Sequence, residues 1–149
     1  MASSTMYAVK TKLLTLLQDD AGLSAVQVTY GDPGGAMRRE SIFMGDINSS
    51  DQFPEVLASG RRRRLEEYTL DVHVFVQSKA AGLQEAEQRA VSLASTVENV
   101  VADNPQLGGT VSGLMFAECS GMSMSSAEAG ADGPVVETIV QFLVKARLS

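Results

Sequence analysis

The sequence predicts an α+β domain: a mixed or antiparallel sheet with two helices packed on one face, in the order helix, three strands, helix, two strands. Three observations carry that reading. Residues 65–77 alternate Tyr68, Leu70, Val72, Val74 and Val76 with Thr69, Asp71, His73, Phe75 and Gln77, the period of a half-buried strand. Residues 82–103 place Leu83, Ala86, Ala90, Ala94, Val97 and Val101 at steps of three and four, the single apolar stripe of an amphipathic helix. Runs of strands separated by lone helices favour helices gathered on one side of a sheet.

The other elements follow in order. Met6, Val9, Leu13, Leu16 and Leu17 predict a helix over residues 5–18; Ser3 or Ser4 can cap it and Gly22 can end it. Asp19 and Asp20 suit the negative end of a helix dipole badly, so its last turn is expected to stop before them. Val26, Val28 and Tyr30 read as a short strand, closed by Gly31-Asp32-Pro33-Gly34-Gly35. Residues 40–47 form the next strand, and residues 48–60 read as a long loop rich in Ser, Asp and Pro. Asn104-Pro105 stops the second helix, because the residue before a proline is pushed out of the α region. Residues 110–128 are weakly patterned, with Leu114 and Phe116 suggesting a strand. Residues 134–148 form a long closing strand, with Ile139 and Leu143 on its alternate face. A single domain over residues 1–149 is expected, with a long loop over about 48–64 and a mobile loop over about 125–133. The predicted core includes Leu13, Leu17, Val72, Val74, Ala90, Ala94, Val97 and Val140.

Composition narrows function. At 149 residues, 44% hydrophobic and 20% charged, the chain has enough apolar material for one core. Aromatic residues are 5% and Trp is absent, so aliphatic side chains must fill it. The net charge is −6, and Arg61, Arg62, Arg63 and Arg64 contribute +4 to it, so the rest of the chain stands at −10. An acidic body argues against general binding to a nucleic-acid backbone. Cys119 stands alone, which excludes an intramolecular disulfide and a thiolate-rich zinc site. There is one histidine, His73. The N-terminus lacks the pattern of a signal peptide, and no stretch approaches the roughly 20 apolar residues of a membrane span.

No catalytic centre emerges. Gly121-Met122-Ser123-Met124-Ser125 begins like a nucleophile elbow but lacks the final Gly, and His73 is the sole candidate base. Residues 31–35 read as a turn rather than a phosphate loop, because Met37-Arg38-Arg39 does not supply Gly-Lys-Ser/Thr. Asp46, Asp51 and Glu55 lack calcium-loop spacing. His73 reads as a hydrogen-bonded sheet histidine.

The arginine block is the least ordinary feature. Its plainest reading is a solvated charge run at a strand entrance. Contact with an acidic protein surface comes next, through bidentate guanidinium–carboxylate pairs, and contact with nucleic-acid phosphate third.

Along nearly its whole length the chain resembles the tail terminator (tail completion) proteins of long-tailed bacteriophages. The resemblance lies in the order of elements. It is carried by Asp19-Asp20-Ala21-Gly22-Leu23 closing the first helix, by Val28-Thr29-Tyr30-Gly31, and by Tyr68-Thr69-Leu70-Asp71-Val72-His73-Val74. The helix over residues 86–103 with Asn104-Pro105-Gln106-Leu107-Gly108-Gly109-Thr110-Val111, and the last strand ending Lys145-Ala146-Arg147-Leu148, complete it. It implies a structural virion protein of the tail, assembled in the host cytoplasm, with no reaction and no cofactor. It further implies a homo-oligomeric ring, a hexamer, that ends growth of the tail tube. Such a ring would meet the tail tube protein and a head-completion or connector protein, and DNA would pass its channel without specific binding. Within that frame Arg61, Arg62, Arg63 and Arg64, with Phe53, Val56 and Leu57, are the expected protein–protein interface. Another head–tail connector or tail-tube component, or a small nucleic-acid-binding module using the arginine block, are the alternatives.

Overall fold

A computed structural model describes residues 4–55, 63–79, 82–129 and 131–148. The elements run α1 (Met6–Asp19), β1 (Gln27–Thr29), β2 (Glu40–Glu55), β3 (Arg63–Gln77), α2 (Leu83–Asp103), β4 (Leu114–Ala129) and β5 (Gly133–Leu148), with short 3₁₀ turns at 21–23, 34–36 and 107–109. The five strands form one sheet in the order β1-β2-β3-β5-β4. β1 pairs parallel to β2, and every other pair is antiparallel. This is the predicted α+β layout, with a mixed sheet.

Both helices lie on one face. Tyr68, Leu70, Val72, Val74 and Val76 of β3 and Val136, Val140, Phe142 and Val144 of β5 are buried against Val9, Leu13 and Leu17 of α1 and Ala86, Ala90, Leu93, Ala94, Val97 and Val101 of α2. All eight residues predicted for the core are buried. Alanines at 86, 90 and 94 let α2 approach the sheet closely, which suits a core short of aromatic residues. The residues of opposite parity on β3 and β5 are half-buried on the uncovered face.

Several boundaries differ from expectation. α1 includes Asp19 and takes Asp20 as its C-cap; the Asp20 side chain then accepts the Gly22 N–H at 2.8 Å and so caps the following 3₁₀ turn. The long loop expected over 48–64 is largely sheet: β2 continues to Glu55, and β3 begins at Arg63 with Glu55 opposite it. Register shifts between Met44 and Ile47 and between Asn48 and Asp51 explain why alternation fades after Met44. An added residue flips the parity of everything beyond it. Thus Ile42, Met44 and then Ile47 face the core. The mobile loop expected over 125–133 is corrected likewise. β4 runs to Ala129 and β5 starts at Gly133, with Ser125 opposite Glu137 and Ala129 opposite Gly133. Gly133 has a φ of +83°, and a Cβ there would run into the Ser78 carbonyl oxygen. Glycine is therefore what lets this turn pack on the end of β3.

Candidate functional site

The predicted interface residues divide. Arg61, Arg62, Val56 and Leu57 lie outside the described residues. Phe53 is on β2 opposite Leu65, and Arg63 is on β3 opposite Glu55. Arg64 is exposed and sits between Pro54 of β2 and Leu148 of β5. The described end of the arginine block is thus built into strand backbone at one end of the sheet rather than carried on a loop.

The catalytic candidates do not converge. Gly121 to Ser125 lie inside β4, not at a strand–turn–helix corner. Ser123 is opposite Ile139 of β5, and Ile139 is opposite His73 of β3. Two strand spacings, about 9.6 Å, separate Ser123 from His73, which is beyond hydrogen-bond reach. Residues 31–35 form a turn in which Asp32 accepts the Gly34 N–H at 2.7 Å. Asp46 is exposed on β2. Among the described residues no three His, Cys, Asp or Glu side chains gather to hold a metal, and no helix is long and apolar enough to cross a membrane.

What the structure does assemble is a polar cluster on the uncovered sheet face. His73 Nδ1 lies 2.6 Å from Glu137 Oε1, and its ring stacks on Phe43 with centroids 4.8 Å apart. Space for the ring comes from Gly45, where a Cβ would come within 2.5 Å of His73 Nε2. Gln141 Nε2 donates to Asp71 Oδ1 at 3.4 Å nearby. Each polar group finds its partner across neighbouring strands, as a sheet histidine does.

β4 is an edge strand. Met122 and Met124 point to the helix side of the sheet, opposite Val140 and Thr138, yet they are 43% and 47% exposed. Ser126 beyond them donates to Glu87 of α2 at 2.8 Å. The outer edge of β4 is capped near its start, where the Ala117 N–H donates to the Pro105 carbonyl at 2.7 Å, and Met122 and Met124 stand beyond that cap. Cys119 lies on the same strand, and burial, with the nearby Glu98 charge adding to it, pushes its thiol above the ordinary range. Its thiolate is therefore scarce at neutral pH. Alkylation at pH 7.5 is expected to run several-fold slower than for a cysteine peptide and to reach the peptide rate in urea; equal rates in the native protein would contradict this placement.

No protein-family model and no curated protein matches the chain. Its fold is similar to that of a chain in the solved virion of the native gene transfer agent (GTA) particle, with a TM-score of 0.55 and 15% sequence identity, over 98% of this chain and 99% of that one.

Proposed function

We propose that this chain is a structural virion protein that forms a ring at the head-proximal end of a phage tail tube. There it would end tube growth and offer the surface for head joining. The observation that carries the reading is the end-to-end fold likeness to a virion protein, which leaves neither chain with a substantial unmatched segment. The same likeness supports residence in a virion and partners that are other virion proteins. The surfaces agree with this reading. A ring subunit needs two different contact surfaces; the outer edge of β4 is one, and the end of β3 that carries Arg63 and Arg64, two strands in from that edge, is a second.

The test is to add the purified protein to a growing tail tube and measure tube length by electron microscopy. Tubes should stop at one end and carry a ring there; continued growth would sink the proposal. Replacing Arg61, Arg62, Arg63 and Arg64 together by Ser should leave the fold intact. It should weaken assembly, most visibly at low salt, where charge pairing is least screened. A quadruple variant that assembles normally but no longer retards DNA would instead install the nucleic-acid-binding reading.

A further inference from the structure

Two grooves of opposite charge lie along one side of α2. At its N-terminal end a groove is lined by Arg38, Arg39, Glu40, Glu85 and Arg89. Arg89 is engaged there: its Nε and Nη2 lie 2.6 and 3.1 Å from the two Glu40 carboxylate oxygens. Glu85 stands in the first turn of α2, where the positive end of the helix dipole accommodates it. Arg38 and Arg39 are exposed, and among the described residues neither guanidinium has an ion pair. Their backbone is nonetheless fixed. The Arg38 N–H donates to Gln27 Oε1 at 2.9 Å, and the Arg39 carbonyl accepts the Gln77 N–H at 2.7 Å.

At the other end, Asp19, Asp20 and Asp103 line a second groove with Thr96, Asn99 and Asn104. Asp19 closes α1, Asp103 closes α2, and neither helix has a basic residue in its last turn. Two carboxylates thus sit at the negative ends of two helices with Asp20 beside them, an arrangement that costs free energy in an isolated chain. Among the described residues none of the three has an ion pair. Among the described residues the three do not form a group able to hold a metal ion. Glu85, Arg89, Thr96, Asn99 and Asp103 recur at helical steps, which puts both grooves on one side of α2. Their centres are about 20 Å apart at 1.5 Å per residue.

We infer that the arginine groove of one copy of this chain receives the acidic groove of a second copy, with Arg38 and Arg39 pairing with Asp19, Asp20 and Asp103. Complementary charge is the argument for that occupant: each groove supplies what the other lacks, and guanidinium–carboxylate pairs form bidentate bonds. Every copy carries both halves on one side of α2, so a second copy can engage one groove or, about a two-fold axis, both at once. The inference rests on the ring reading for its partner being another copy.

The experiment uses the full chain and two charge-reversed double variants, Arg38→Glu with Arg39→Glu and Asp19→Lys with Asp103→Lys. The second pair also places cations at helix C-termini, which favours folding. Mass is measured by light scattering across protein concentration at low and high salt, with circular dichroism as the folding control. Wild type should assemble, and each variant alone should need roughly tenfold or more protein to do so. An equimolar mixture of the two should regain wild-type assembly, because each reversed groove meets its reversed complement. A monomeric wild type, a variant that assembles like wild type, or a mixture that fails to recover would overturn the inference. Tube capping separates it from the functional reading. Wild type that answers to charge reversal yet leaves tubes growing sinks the tail-end role alone. Wild type that caps tubes while both variants assemble normally sinks the groove pairing alone.

Discussion

Val74→Asp is expected to leave no folded protein. Val74 is fully buried, in the middle of β3 between Ile42 of β2 and Thr138 of β5, beneath the helices. An aspartate there places a carboxyl among aliphatic side chains, with no basic residue among the buried described residues. Burying a charge without a partner costs several kcal/mol, and the group escapes only by protonation or unfolding. Domains of this size are stable by about 5–15 kcal/mol, so that cost, added to lost packing, is enough to abolish the folded state. Thr69→Asp is the control. Thr69 lies on the uncovered face opposite Asn48 and Leu143, and its replacement should cost about 1 kcal/mol or less. Circular dichroism and thermal melting decide the matter; a Val74→Asp protein melting near wild type would show that the sheet is not packed as described.

Glu66→Ala is expected to destabilise the domain by about 2–4 kcal/mol, through orphaned donors and a cavity. Glu66 is 1% exposed on the core side of β3. Its Oε1 accepts from the Thr5 N–H at 2.9 Å and the Thr5 hydroxyl at 2.8 Å, and Thr5 Oγ1 lies 2.9 Å from the Tyr68 hydroxyl. The carboxyl thus stands at the amino end of α1, where the helix dipole favours it. Burial pushes the Tyr68 phenol well above its usual range, which keeps it a neutral member of this network. Glu66 Oε2 has no hydrogen-bond partner among the described residues. Glu66→Gln keeps the acceptor for Thr5 and buries no charge, so it should fall within about 1 kcal/mol of wild type. Denaturant unfolding of both variants checks this. An alanine variant as stable as wild type would mean that Thr5 and α1 are not held through Glu66.

What could be read from the chain follows from which periods survive. β3 and α2 were legible to within two residues because their apolar positions keep an unbroken step of two or of three and four. β2 and β4 were not, because each is interrupted by two register shifts. Past Met44 the core-facing residue is Ile47, and in β4 the shifts near Met115 and Ser120 break the alternation that would have marked a strand. The expected loop at 48–55 was therefore a strand whose parity had been reset, whereas residues 125–129 pair in unbroken register but carry small and polar side chains, exposed through Ala127, that leave no apolar period to read. Glu66 shares the parity of Tyr68 and Leu70, yet a carboxylate on that face has no meaning until α1 brings Thr5 to it.

By itself the sequence determined the order of elements, the side of each helix that is buried, the apolar face of β3 and the lack of a cysteine pair. All of these depend on residue type and on spacing within one segment. Only the tertiary structure decided that β5 inserts between β3 and β4, that Ser123 and His73 are kept apart, and that His73 meets Glu137 across strands. It also decided that Arg38 and Arg39 share a groove with Arg89, while Asp19 and Asp103 share another. These are meetings of residues as many as 84 positions apart, counting from Asp19 to Asp103. No local period encodes them, because the contact is made by packing the sheet and helices together rather than by any one strand or helix.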